Sequence, residues 1–173
     1  ISTTTIADAL PGGRIVRTMP NTPMAVGEGM TGVAAGIGAS EADVALATFI
    51  CSCSGQVLQV KESQIDDIAA VSGSGPAYVF RFCEAMVHAA RSQCGFSEAE
   101  AEQLVRQTVL GAVTYLCQQE GFPAARLREQ VTSPGGTTQA ALSVINDAEL
   151  DALMVNAMEA AQRRAKELNA DVH

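Results

Sequence analysis

The chain has 173 residues, of which 47% are hydrophobic, and its formal net charge is −8. This length accommodates one domain and part of another, and the apolar fraction is sufficient for a packed core. The acidic balance disfavours nucleic acid and anionic membranes as partners, and no apolar run approaches the length that spans a bilayer.

Residues 1–72 are predicted to be mixed α/β, because short apolar segments alternate with turns rich in glycine and proline. The predicted elements are a turn at 10–13, a strand over 14–19, a turn at 21–23, a strand over 30–36, a helix that begins after Ser40 and ends near Cys53, a strand over 56–60 and a short helix that Ser63 caps and that ends at Val71.

The remainder, from residue 73 onward, is predicted to be all-helical. The predicted helices are 77–94, a helix that Ser97 caps and that ends near Gln119, 124–131, a helix after the turn at 132–138, and 148–169. Polar residues in 77–94 form one narrow stripe, so we expect this helix to be buried on most sides. Broad apolar faces on several helices favour a symmetric partner, and the alternative is a compact monomeric bundle.

The segment TSPGGTT at 132–138 is rich in glycine and in hydroxyl side chains, a composition typical of turns that bind small ligands. Its proline ends the preceding helix, its two glycines let the backbone turn closely, and Thr137 or Thr138 is expected to cap the helix that follows. Unpaired N–H groups at that helix start, together with the hydroxyls of Ser133, Thr137 and Thr138, form a plausible cradle for a small carboxylate. The alternative interpretation is an ordinary capped loop between two helices.

Cysteine and histidine do not form an obvious chemical site. The five cysteines are odd in number and lack the spacing of a disulfide framework, which favours reduced thiols in a cytosolic protein. Cys51 and Cys53 form a C-x-C pair with no histidine nearby, so we expect no metal. Of the two histidines, His88 lies in a helical pattern and His173 ends the sequence, and solvated side chains are favoured over a catalytic base.

Signatures of nucleotide binding and of common catalytic pairs are not found in this sequence. GSGPAY at 73–78 begins like a dinucleotide fingerprint, but it contains a proline, ends in tyrosine and follows no predicted strand. The first residue is isoleucine rather than methionine, and no signal peptide is visible, so we expect the sequence to be a fragment.

Three blocks occur in order along the chain: RTMPNTP at 17–23, VSGSGPAY at 71–78 and VTSPGGTT at 131–138. Together they resemble the family of delta-1-pyrroline-5-carboxylate reductase, the last enzyme of proline biosynthesis. The resemblance implies trailing strands of an NAD(P)-binding Rossmann-type domain over 1–72 and an all-α dimerisation domain over 73–173, mostly α overall. The family's glycine-rich phosphate loop is not in this sequence, so we expect the chain alone to be inactive.

The resemblance also implies roles for individual residues. Those matched to the binding of pyrroline-5-carboxylate are Ser133, Gly135, Gly136, Thr137 and Thr138, with backbone N–H groups of the last three as donors. Thr138 is matched to the hydroxyl that contacts the ring nitrogen, and is the candidate catalytic residue. Those matched to the site of NADPH or NADH are Pro20, Asn21, Thr22, Ser74, Gly75 and Pro76. Glu120 is matched to a carboxylate near the site.

The resemblance further implies a cytoplasmic homodimer, and dimers of this family commonly assemble into decamers. Neither a nucleic acid nor a membrane is expected as a partner. The alternative function is a non-catalytic helical oligomerisation module.

Overall fold

A small mixed sheet forms the centre of the first part of the chain. In the computed structural model, which describes residues 1–170, its strands are β1 Val16–Met19, β2 Gly29–Ala35 and β3 Gly55–Gln59, in the order β1-β2-β3. β1 is antiparallel to β2, and β2 is parallel to β3. A parallel pair needs a long crossover, and the helix between β2 and β3 supplies it.

Helices dominate the rest of the described chain. They are α1 Thr3–Ala9, α2 Glu41–Ser52, α3 Ile65–Ile68, α4 Gly75–Cys94, α5 Glu98–Gln118, α6 Ala124–Gln130, α7 Thr137–Asp147 and α8 Leu150–Ala170. Short 3-10 turns occur at Thr22–Val26 and Glu62–Gln64, and a π-helical turn at Ala69–Gly73 joins α3 to α4. The prediction of a small strand region followed by helices is confirmed. His173 lies outside the described residues, among which no helix is long and apolar enough to cross a bilayer.

The described residues form two compact units, and each is considered by itself. The first comprises residues 1–78 and those from 155 onward, and the second comprises residues 79–154. In the first unit the core surrounds β2, where Val33 is 1% exposed, and includes Ile65 of α3. In the second unit Ala101, Val105 and Leu127 are buried. The predicted domain boundary at residues 72 and 73 stays a prediction.

Two predicted helix starts are confirmed in detail. The Ser40 hydroxyl accepts the Asp43 N–H at 3.3 Å, and the Ser97 hydroxyl accepts the Glu100 N–H at 3.4 Å. Each acid in turn accepts the backbone N–H of its serine, which completes a capping box. Hydrogen bonds from the serine side chain and then its backbone lower the pKa of both Asp43 and Glu100.

Two local expectations differ from the structure. Ser63 is not a helix cap, because it lies inside the 3-10 turn that begins after Lys61, whose N–H donates to the Gln64 side chain at 3.1 Å. Helix α1 was not predicted, because its threonines have low helix propensity. Ser2 caps it by accepting the Thr5 N–H at 3.1 Å.

The expectation that the helix over 77–94 is buried on most sides is wrong for the single chain. Within the second unit, Phe80 is 62% exposed and Phe82 is 54% exposed. The apolar surface of α4 is therefore wider than its neighbours in that unit can cover.

A network of polar side chains connects Thr3 in α1 and Asn169 in α8 to Arg17 in β1 through Glu62 and Asp66. Glu62 accepts the Thr3 N–H at 2.7 Å and also the Thr3 hydroxyl, and lies 3.6 Å from the Arg17 guanidinium. Arg17 also pairs with Asp66 at 3.2 Å, and the Asn169 amide donates to Asp66 at 2.7 Å. Burial raises the pKa of Glu62, but the bonds from Thr3 and the charge of Arg17 outweigh it, so this pKa is lowered overall.

The lowered pKa of Glu62 predicts acid sensitivity. Since the folded-state pKa lies below the ordinary value of 4.5, the carboxylate contributes stability that is fully present above that pH and is lost as the pH falls through the folded-state pKa. We expect the free energy of unfolding in urea to fall between about pH 5 and about pH 3, and to fall less steeply in Glu62→Gln. Glu28→Gln, at an exposed position, is the control. An equally steep fall in Glu62→Gln contradicts this assignment.

Candidate functional site

The segment between α6 and α7 is folded by bonds within itself. At its start the Thr132 hydroxyl donates to the Arg128 carbonyl at 2.6 Å, which satisfies the end of α6. Gly135 follows with φ of 72°, in the left-handed region that favours glycine. The Gly136 N–H then donates to the Ser133 carbonyl at 3.0 Å and closes a turn.

Gly136 is the N-cap of α7, so the expectation that Thr137 or Thr138 caps this helix is wrong. Gly136 has extended dihedral angles, with φ of −81° and ψ of 169°, and α7 begins at Thr137 without a side-chain cap. A Cβ atom at Gly136 would lie 2.5 Å from the Ser133 hydroxyl oxygen and 3.1 Å from the Ser133 carbonyl oxygen, so a larger residue would require Ser133 to move. Because glycine takes the cap position, both threonines are displaced into the first turn of the helix.

Gln139 is a structural residue of the segment that sequence reasoning missed. Its Oε1 atom accepts the Gly135 N–H at 2.6 Å, so the first turn of α7 holds the loop before it. The available signal was the position of glutamine three residues after the cap, which is the spacing of a capping box.

The segment presents unpaired donors at the positive end of α7. Among the described residues, the N–H groups of Thr137, Thr138 and Gln139 have no acceptor, and neither have the hydroxyls of Ser133, Thr137 and Thr138. The N–H groups of Gly135 and Gly136 are already bonded within the segment, so two of the three predicted backbone donors are free. Such a helix start favours the binding of a small anion.

Glu120, which the family resemblance matches to a carboxylate near the site, is exposed in the turn after α5.

The other two predicted blocks meet within the first unit. Asn21 follows β1, and its side-chain amide donates to the Ser72 carbonyl at 3.0 Å and accepts the Met30 N–H at 2.9 Å. Ser74, Gly75 and Pro76 begin two residues after Ser72 and are half-buried, whereas Pro20 and Thr22 are exposed. The structure therefore brings the two predicted cofactor blocks together, and the predicted carboxylate segment belongs to the second unit.

The loop at 20–26 is the segment that the family resemblance matches to the cofactor site. It follows the carboxyl end of β1, which runs antiparallel to β2. Exposed Thr22 and the Ser74 hydroxyl, which has no hydrogen-bond partner among the described residues, offer polar groups there.

A family model described as pyrroline-5-carboxylate reductase dimerisation matches residues 62–168. The chain belongs to the pyrroline-5-carboxylate reductase family. A solved structure of this reductase from Coxiella burnetii has a TM-score of 0.90 and 44% identity, over 96% of this chain and 62% of that chain. The Plasmodium falciparum pyrroline carboxylate reductase, solved with NADP bound, has a TM-score of 0.86 and 30% identity, over 96% of this chain and 67% of that chain.

Curated pyrroline-5-carboxylate reductases give the same assignment. The Vibrio alginolyticus reductase is 43% identical over 155 residues, which are 89% of this chain and 57% of that protein. The Synechocystis reductase is 39% identical over 97% of this chain and 62% of its own length. The chain thus spans about three-fifths of the length of these reductases. The family resemblance predicted from the three sequence blocks is confirmed, and the assignment of individual site residues stays a prediction.

The hydrogen bond from the Gly135 N–H to the Gln139 side chain predicts that Gln139→Ala loosens the segment at 132–138. Without its acceptor, the Gly135 N–H should exchange with solvent faster, and the free energy of unfolding should fall by about 0.5–1.5 kcal/mol. Hydrogen exchange by NMR and urea unfolding measure the two effects. Gln107→Ala, at an exposed position of α5, is the matched control. Unchanged exchange at Gly135 would show that the bond does not hold the loop.

Proposed function

We propose that this protein takes part in the NAD(P)H-dependent reduction of 1-pyrroline-5-carboxylate to L-proline, with residues 133–139 binding the substrate carboxylate. The observation that carries the proposal is the free donor set at the start of α7, in a chain of this family. Three free N–H groups and three hydroxyls belong to the residues at this one helix start, where the dipole favours a negative charge.

The proposed mechanism requires little from the protein's own acids and bases. When bound, the reduced nicotinamide supplies a hydride for the imine carbon of the substrate ring. The N–H groups of Thr137, Thr138 and Gln139 would hold the carboxylate, and the oxygen of the half-buried Thr138 hydroxyl would accept a hydrogen bond from the protonated ring nitrogen. A protonated imine is already a good hydride acceptor, so orientation and exclusion of water supply most of the catalysis.

The proposed cofactor is NADPH or NADH, and its nicotinamide side would meet Pro20 and Thr22 together with Ser74, Gly75 and Pro76. The NADP in the related Plasmodium structure supports this choice. The chain contributes an exposed loop and the Ser74 hydroxyl to that side.

We also propose that the protein forms a homodimer through its second unit. A groove of about 480 Å³ runs between α4 and α5. Its lining is mostly apolar and comprises Val79, Phe80, Cys83, Glu84, Val87, Glu102, Val105, Arg106, Val109 and Leu110. An exposed apolar surface of this kind favours burial against a second copy. Assembly into a decamer stays a prediction.

A non-catalytic oligomerisation module is the second candidate function, and the dimerisation description of the matching family model favours it. Such a module has no need for free donors at the start of α7. A cytoplasmic location is proposed for either function, since all five cysteines are free thiols and such thiols persist in reducing compartments.

Binding of proline tests the carboxylate site directly. We expect L-proline to shift the amide resonances of Thr137, Thr138 and Gln139 in NMR titrations, because these N–H groups would meet its carboxylate. Prolinamide, which lacks the anion, should shift them far less. Absence of a specific shift with proline would refute the site and leave the oligomerisation module as the better function.

Two matched variants test whether proline binding depends on the start of α7. Thr137→Pro removes one free N–H and one hydroxyl at the first position of α7, where proline is well tolerated, and should weaken proline binding. Glu98→Pro removes the N–H at the first position of α5, together with the ion pair between Glu98 and Arg91, and should leave proline binding unchanged.

Dimerisation is tested by light scattering at low micromolar concentration. We expect twice the chain mass, because an obligate interface of roughly 2,000 Å² or more would bury the groove between α4 and α5. Phe80→Glu places a charge in that groove and should produce monomers. Val26→Glu, at a position that is 77% exposed in the first unit, is the control. A monomeric wild-type protein at this concentration would exclude the proposed dimer.

A further inference from the structure

Asn21 lies where the two proposed cofactor blocks meet, and both ends of its side-chain amide are engaged. Oδ1 accepts the N–H of Met30, 9 positions away, and Nδ2 donates to the carbonyl of Ser72, 51 positions away. An amide whose donor and acceptor are both used by the protein is better suited to hold structure than to bind a ligand.

The partner of Asn21 lies in a π-helical turn of the backbone. Ser72 belongs to the π-helical turn, whose closing bond runs from the Ser74 N–H to the Ala69 carbonyl at 2.8 Å. π-helical turns are rare and occur frequently at functional sites. Side chains complete this one, since the Tyr78 hydroxyl donates to the Ala70 carbonyl at 3.0 Å while Asn21 donates to Ser72.

A second contact fixes the loop against the same turn. A Cβ atom placed on Gly73 would lie 2.8 Å from the terminal methyl of Met19, the last residue of β1. The loop that starts at Pro20 is therefore packed at its base and hydrogen-bonded one residue later. Its position relative to Ser74 is set by these two contacts.

We propose that Asn21 is a positioning residue for the nicotinamide side of the cofactor. This inference rests on the proposed function. Asn21 holds Thr22 and Ser74 at a fixed spacing, so that both can meet the same ligand. An amide is required at this position, because an aspartate would accept from Met30 but would set a second oxygen against the Ser72 carbonyl without a proton between them.

The test uses nicotinamide mononucleotide as the probe and the whole chain as the protein. We expect millimolar probe to shift the amide resonances of Thr22, Ser74 and Gly75 in the wild type, and Asn21→Asp to bind it roughly five- to tenfold more weakly at pH 7. Near pH 4, about the ordinary pKa of an aspartate, the protonated side chain can donate to Ser72, so its binding should recover relative to wild type.

Thr3→Val is the matched control for general destabilisation. It removes the hydroxyl bond to Glu62 in the same unit but away from the loop, and should leave probe binding unchanged. Equal weakening in Thr3→Val and Asn21→Asp would overturn the positioning role. Wild-type binding with an unaffected Asn21→Asp would also overturn it and leave the proposed function intact. No shift in the wild type would overturn the cofactor placement itself, and the role of Asn21 with it.

Discussion

An α-helix cannot satisfy the N–H groups of its own first turn, and this chain meets that constraint in two ways. Ser2, Ser40 and Ser97 each accept one such N–H at the starts of α1, α2 and α5. At α6 and α7 the caps are Pro123 and Gly136, and neither supplies a side-chain cap bond. At α7 the Gln139 amide oxygen accepts from Gly135 in the loop instead, and the free donors of the first turn are the basis of the proposed carboxylate site.

In the first unit, polar side chains connect segments that are far apart in sequence. Arg17 joins β1 to Glu62 in the turn before α3 and to Asp66 in α3, and Asn21 joins the end of β1 to the π-helical turn. Each of these groups is at least partly removed from water, where a hydrogen bond or ion pair is worth more than at the surface. The loop at the carboxyl end of β1 is consequently held in place by the protein before any ligand arrives, which lowers the entropic cost of binding.

The second unit, in contrast, leaves much of its apolar surface exposed. Its helices expose large apolar side chains such as Phe80 and Leu110, and few of its residues are fully buried. Alanine-rich helices with such surfaces gain more from packing against another copy than from further packing within one chain. This exposed apolar surface is the physical basis of the proposed homodimer.

The sequence by itself determined the features that depend on a few neighbouring residues. Glycine at positive φ, proline at helix boundaries and serine three residues before an acid placed most turns, caps and strands, and the three blocks determined the family. Bonds within the segment at 132–138 are also local, but the residue types alone did not show that Gly136 rather than a threonine is the cap. Only the tertiary structure decided the partner of Asn21, because Ser72 is 51 positions away. A bond between such distant residues forms only when the sheet and the π-helical turn fold against each other, and no local pattern records that approach.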